Sequence, residues 1–130
     1  MSYNLLKGKR GIISGALNEH SIAWKIAQRA HEEGATFTLT NAPIAMRMGE
    51  IDKLAADCNA KIIGADATDV AELEKLFTES QEYLGGKIDF VLHSIGMSAN
   101  IRKNRPYGDM NYDWFLKSLD VSALSLHKML

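Results

Sequence analysis

Gly11-Ile12-Ile13-Ser14-Gly15-Ala16-Leu17-Asn18-Glu19-His20-Ser21-Ile22-Ala23 decides how the rest of the chain is read. A short apolar, β-branched run ends at Gly15, and Ser21 opens a helical pattern with Ile22, Ala23, Ile26, Ala27 and Ala30 on one face as far as Gly34. A strand feeding a helix through a glycine turn is the unit from which parallel sheets are built.

Working outward, the same alternation repeats. Thr36-Phe37-Thr38-Leu39-Thr40 is β-branched and aromatic and predicts a strand. Pro43 suits a loop or the first turn of a helix, and Ile44, Met48, Ile51, Leu54 and Ala55 keep helical spacing as far as Asn59. Lys61-Ile62-Ile63-Gly64 predicts a third strand. Thr68 or Asp69 caps a helix that turns Val70, Leu73, Leu76, Phe77 and Leu84 inward and stops at Gly85-Gly86. Ile88-Asp89-Phe90-Val91-Leu92-His93 reads as the clearest buried strand, and a long polar loop runs from Ser94 to Gly108. A last helix from Asn111 carries Tyr112, Phe115, Leu116, Leu119, Ala123, Leu126 and Leu130 at three- and four-residue steps. The order β-α-β-α-β-α-β-loop-α predicts an α/β fold, a Rossmann-type doubly wound parallel sheet with right-handed crossovers. No repeat, low-complexity tract or linker divides it, so residues 1–130 read as one domain.

Composition bounds the rest. The 130 residues carry 15 Lys+Arg and 16 Asp+Glu, with 46% apolar residues. That balance fits a globular chain and leaves no basic footprint for nucleic acid. No apolar run approaches the roughly 18 residues of a membrane span, and Met1 to Arg10 lacks a signal-peptide core, which predicts a soluble, cytoplasmic protein. Cys58 stands alone, excluding a disulfide framework and a cysteine-based metal site.

Three features fall at the carboxyl ends of strands one, three and four, where a doubly wound sheet holds a dinucleotide. In the first loop, Gly15 permits a tight turn, while Ser21 and the helix start present a cap, a hydroxyl and free N–H groups to a pyrophosphate. The loop lacks the later glycines of G-x-G-x-x-G, so a plain capped helix is an equal alternative. Asp66, within Ala65-Asp66-Ala67, suits an adenine amine, the alternative being a helix-capping Asp, for which Asp69 competes. In His93-Ser94-Ile95-Gly96 the small residues let the backbone follow a ribose and nicotinamide, and His93 reads as a strand-end residue packed in the core rather than as a base. The second strand ends Thr40-Asn41-Ala42 without the acid that reads a ribose 2′-hydroxyl. Arg47 follows within a turn; it reads first as an exposed residue of a solvated helix face and second as a partner for a 2′-phosphate, which leaves NADP open beside NAD.

These residues resemble the NADH-dependent enoyl-[acyl-carrier-protein] reductases, a divergent branch of the short-chain dehydrogenases/reductases. The resemblance rests on Lys9-Arg10-Gly11, Gly15 followed by Ser21-Ile22-Ala23, Asp66, His93-Ser94-Ile95-Gly96 and Asp120-Val121-Ser122. It implies that Gly15, Ser21 and Ile22 hold the pyrophosphate and neighbouring ribose, and that Asp66 and Ala67 flank the adenine. Ser94, Ile95 and Gly96 would run beside the ribose and nicotinamide with Val121 near them, and Met97 and Ser98 would begin the acyl-substrate wall. Many relatives have Gln where this chain has Ala42. The implied cofactor is NADH and the implied partner an enoyl substrate on acyl carrier protein, within an oxidoreductase of fatty acid biosynthesis. The family is tetrameric, which implies a homo-oligomer. The family's catalytic Tyr-x₆-Lys is not found here: Arg10, Phe90, Trp114 and Leu119 follow Tyr3, Tyr83, Tyr107 and Tyr112 at that spacing. The resemblance therefore predicts the amino-terminal part of one domain, a fragment cut inside a helix after about the fourth strand. It would hold a cofactor cradle, no catalytic residue and no metal site, with an apolar face exposed around Phe115, Leu119 and Leu126. Alternatives are a stand-alone flavodoxin-like or receiver-type module, or a β-ketoacyl reductase, the latter disfavoured by Ser-Ile-Ala and His-Ser-Ile-Gly. Ile101-Arg102-Lys103-Asn104-Arg105 reads first as a solvated loop and second as a patch for the acidic carrier.

Overall fold

The computed structural model describes residues 1–130. β1 (Arg10–Ser14), β2 (Thr36–Thr40), β3 (Lys61–Ile62) and β4 (Phe90–Leu92) form one parallel sheet in the order β3-β2-β1-β4. The reversal of direction between β1 and β4 is the switch point of a doubly wound sheet, and it agrees with the α/β Rossmann-type expectation.

Side-chain alternation along the strands sorts the core onto the two faces. Ile13, Phe37 and Leu39 pack against α1 (Ile22–Glu32) and α3 (Ile51–Asp57), with Trp24, Ala27, Leu54 and the lone Cys58 buried among them. Ile12 and Ile63 face α4 (Val70–Leu84) and meet Leu73, Leu76 and Met129. Thr38, on that same face, is satisfied by a 2.8 Å hydrogen bond between its hydroxyl and that of Ser80. Asp69, not Thr68, caps α4, its carboxylate accepting from the Ala71 and Glu72 amides, and Gly85 ends the helix at φ +78°.

The structure corrects several expectations. The helix expected over Pro43 to Asn59 is two, α2 (Pro43–Met48) and α3. The Glu50 amide donates to the Leu17 carbonyl at 2.8 Å, turning the chain aside, and this leaves Ile44 and Met48 exposed. On α1, Ile22 and Ile26 face outward while Trp24 is buried, so the inward stripe is rotated from the expected one. Val70 is likewise exposed at the start of α4. β4 is half-buried rather than fully buried, because it is the sheet's edge and a cleft of about 450 Å³ lies over it between Leu6, Ile26, Ala30 and Phe90.

The supposed polar loop after β4 contains α5 (Ala99–Arg102) and a 3₁₀ turn (Tyr107–Asp109). The Asn100 side chain anchors it, accepting from the Asn111 amide (2.9 Å) and donating to the Asn111 carbonyl (3.1 Å). The last helix is continuous but irregular: α6 (Tyr112–Leu119), a π turn (Asp120–Leu124) and α7 (Ser125–Met129). Only Ser125 and Met129 of it are buried. Tyr112, Phe115, Leu116, Leu119, Ala123, Leu126 and Leu130 are not turned into a core, and the exposed face around Phe115, Leu119 and Leu126 is as expected.

Candidate functional site

All four strands point their carboxyl ends at one edge, and the loops leaving them surround a cavity of about 280 Å³. Its floor is Ser14 and Thr40 at the ends of β1 and β2. One wall is Ala65 to Thr68, and the other is formed by Ile95 and Met97 with Lys117, Val121 and Met129 of the last helix.

Gly15 begins the β1 loop with φ +91°, and a Cβ there would overlap the Ser94 carbonyl oxygen. The residue therefore lets the β1 and β4 loops cross at backbone distance. Ser21 stands at the N-cap of α1 but does not cap it, contrary to expectation. Its Oγ instead accepts from the Leu17 (3.0 Å) and Asn18 (3.1 Å) amides, closing the loop and leaving the hydroxyl hydrogen free to donate. The Ser21 amide is occupied by the Asn18 carbonyl, whereas the Ile22, Ala23 and Trp24 amides have no acceptor in the chain. With no acidic residue in the first turn, this end offers three donors and the positive pole of a helix dipole to an anion.

Across the cavity, Asp66 accepts from the Thr68 amide (2.9 Å) and hydroxyl (2.7 Å). These bonds, the hydroxyl's first, hold its carboxyl below the ordinary range, with Lys117 and Lys128 adding to the effect. Both Thr68 bonds fall on Oδ1, so Oδ2 remains an acceptor at the rim. Lys128 donates to the Thr68 carbonyl (3.0 Å) and pairs with Asp120 (2.6 Å), and Lys117 lies 3.8 Å from the same carboxylate.

At the β4 end, Ser94 meets Gly15, Ile95 lines the cavity, and Gly96 is exposed. Ser122 Oγ accepts from the Met97 amide at 3.0 Å, fixing Met97 beside Val121. Ser98 is the cap of α5. His93 is half-buried just past β4 rather than packed in the core. Ser125 donates to the Val121 carbonyl (2.6 Å), so its Oγ accepts from His93 Nε2 (2.7 Å); the ring joins the strand end to the π turn. Of the expected site residues, Asp66, Ala67, Ile95, Met97 and Val121 line this cavity, while Gly15, Ser21, Ser94, Gly96 and Ser98 sit on the loops, and Ile22 at the start of α1, beyond its lining.

Two contributors escaped the sequence reading. Asn41 binds three loops together: its Nδ2 donates to the Ala16 carbonyl (2.9 Å), its Oδ1 accepts from the Ala42 amide, and its carbonyl accepts from Ala65. Thr40 is 3% exposed, and its hydroxyl has no partner although it lies on the cavity floor. The signal for Thr40 is phase: like Thr38 it lies on the α4 face of β2, but at Thr40 the cavity stands where α4 supplies Ser80 to Thr38. An unpaired buried hydroxyl is costly, and a polar ligand in the cavity would satisfy it. Arg47 is exposed, its side chain makes no hydrogen bond or ion pair, and it does not line the cavity. No helix is long and apolar enough to cross a membrane.

Comparison with known proteins gives a consistent picture. The family model described as Enoyl-(Acyl carrier protein) reductase matches residues 15–130. Enoyl-[acyl-carrier-protein] reductase [NADH] 1 of Rhizobium meliloti (strain 1021) is 38% identical over 122 residues, covering 93% of this chain and 44% of that protein. Its counterpart FabI of Aquifex aeolicus (strain VF5) is 33% identical, with 94% and 45% covered. The crystal structure of the FabI–NADH complex from Alistipes finegoldii superposes with a TM-score of 0.95 at 58% identity, over 98% of this chain and 45% of that one. The chain thus spans a little under half the length of these relatives.

Proposed function

The chain belongs to the enoyl-(acyl carrier protein) reductase family, and from that premise we propose that it forms the cofactor cradle of an NADH-dependent enoyl reductase of fatty acid synthesis. The observation that carries this is the convergence of Asp66, Ala67, Ile95 and Val121 on one cavity at the carboxyl edge of the sheet. Close by lies a helix start with three free amides. The residues suit a dinucleotide: donors for a pyrophosphate, an acceptor for an adenine amine, and a buried hydroxyl that lacks a partner.

In this reading the Ile22, Ala23 and Trp24 amides and the Ser21 hydroxyl bind the pyrophosphate. Asp66 Oδ2 accepts from the adenine amine while Ala67 packs against the ring. Ser94 to Gly96 and Val121 orient the nicotinamide, and Met97 and Ser98 begin the acyl wall. When bound, NADH supplies the hydride that reduces a trans-2-enoyl thioester. No Tyr-x₆-Lys lies within residues 1–130, and no residue among them is assigned to polarising the thioester. We read residues 1–130 as part of one dinucleotide-binding domain. The proposed setting is cytoplasmic, the substrate is carried on acyl carrier protein, and the assembly is a homo-oligomer, for which the uncovered face of α6 is the support.

The test is NADH oxidation by the intact protein on a short trans-2-enoyl acyl carrier protein, beside titrations with NADH, NADPH and FMN. Saturable NADH binding with enoyl-dependent oxidation is expected. Tight FMN binding without NADH binding overturns the proposal, and equal turnover with NADPH overturns the cofactor assignment.

A further inference from the structure

The network on the cavity's far rim joins the Ala65–Thr68 wall, read as the adenine flank, to the wall that carries Val121. Lys128 sits on α7, three residues beyond Ser125 and beside Met129, whose side chain is buried against Ile12, Leu73 and Leu76. That burial fixes the base from which Lys128 reaches. Its ammonium makes two contacts, one to the Thr68 carbonyl at 3.0 Å and one to Asp120 Oδ1 at 2.6 Å. Thr68 belongs to the loop of one wall, where its amide and hydroxyl hold Asp66. Asp120 begins the π turn of the other wall, and the next residue, Val121, lines the cavity. Lys117 lies on the Asp120 Oδ2 side at 3.8 Å and itself faces the cavity.

We propose that Lys128 is a positioning residue for the adenine end of the cofactor: it latches the Asp66–Asp69 loop to the π turn and so sets the gap between the walls. The inference rests on the reading of Asp66 and Ala67 as the adenine flank. Lys128 and Asp120 are each less than a third exposed, and one acceptor is a backbone carbonyl. This pair is therefore better placed than the solvent-exposed ion pairs that contribute almost nothing. Lys128 makes no hydrogen bond or ion pair to the acyl wall or to Ser94 to Gly96, and its carbonyl acceptor, Thr68, is the residue that holds Asp66, so its effect should fall chiefly on the adenosine half. Irregular turns inside helices often mark such functional walls, and here the turn carries both the latch's acceptor and a lining residue.

The intact protein carrying Lys128→Met should show a KM for NADH raised about threefold to tenfold, with kcat held within about twofold, as befits a charge-assisted contact at a partly exposed site. The inhibition constant of ADP-ribose, which carries the adenosine half without nicotinamide, should rise by the same factor. Lys128→Arg, which keeps the charge and the reach, should restore most of the affinity. Asp120→Asn is the second variant should Lys128→Met not fold: it leaves the Thr68 carbonyl bond and removes the counter-charge, and it should shift both constants in the same direction by less. An unchanged NADH KM, a loss confined to kcat, or a Lys128→Arg no better than Lys128→Met overturns the latch. If the unsubstituted protein binds NADH and the variants bind it equally well, only the latch fails. If the unsubstituted protein does not bind NADH, the proposed function fails and the latch with it.

Discussion

Thr40 and Gly15 show how single side chains are fixed by the site rather than by the sheet. Thr40 ends β2 with a buried hydroxyl that no group of the chain engages. Thr40→Val keeps the branched shape and removes that hydroxyl, so the ligand-free protein should gain about 1 kcal/mol in urea denaturation. The same change should weaken NADH binding several-fold by titration; a variant less stable than the parent would show that the hydroxyl is satisfied in solution. Gly15 presents the opposite case. Its positive φ and the Ser94 carbonyl beside it leave no room for a Cβ. Gly15→Ala should cost at least about 2 kcal/mol in the same measurement and spread the β1 and β4 loops. The need for Gly15 was legible in the sequence, because a strand followed by glycine and a helix start has few geometries. The orphaned Thr40 was not, since partners for a hydroxyl are chosen by chain segments far away in sequence.

Elements with dense local signals were read well, and elements shaped by distant contacts were not. Thr36 to Thr40 is a strand because β-branched threonines on one face and Phe37 and Leu39 on the other fit a sheet covered from both sides. The division between α2 and α3 depends on the Glu50 amide meeting the Leu17 carbonyl, which no periodicity announces. α6 and its continuation teach a sharper lesson. Their apolar spacing is real, but spacing reports which residues share a face and not what covers it, and most of that face is bare. Asn111 is the element's fixed point: it caps α6 through the Trp114 amide and pairs with Asn100. Asn111→Ala removes the cap and keeps the bonds to Asn100, which use the Asn111 backbone; it should lower stability by about 1 kcal/mol and raise amide hydrogen exchange over Tyr112 to Leu116 while leaving β1 and β2 unchanged. Uniform exchange across the chain would count against that local anchor.

At the scale of the molecule, Glu33, buried between the amino-terminal segment and α1, is with Asp66 a source of acid sensitivity. Its carboxylate accepts from the Tyr3 and Leu5 amides and pairs with Arg29. The Leu5 amide foremost, then Tyr3 and Arg29, hold its pKa below the ordinary 4.5 against the opposing effect of burial. A carboxylate with a depressed folded pKa adds stability that is full above the unfolded value and lost as pH falls through the folded one. The parent should therefore lose stability progressively below about pH 4.5. Glu33→Gln should be less stable at neutral pH and flatter over that acid range in thermal melts. The architecture could be read from sequence because four strand signals alternate with four helices. The site's outline could be read because a doubly wound sheet has one functional edge. The Lys128–Asp120–Thr68 network could not, because it joins residues on separate elements that only the packing of Met129 brings together.

The lone Cys58 has a practical consequence. Burial, and then the neighbouring Asp57, push its thiol up to about 11, so near neutrality it is both enclosed and protonated and should ignore alkylating reagents. The chain is thus a silent background for labelling. A fluorophore on Ile44→Cys, exposed on α2 yet on the cavity's rim, would be the single reporter on the molecule, and its emission would register the filling of the cavity without a catalytic assay.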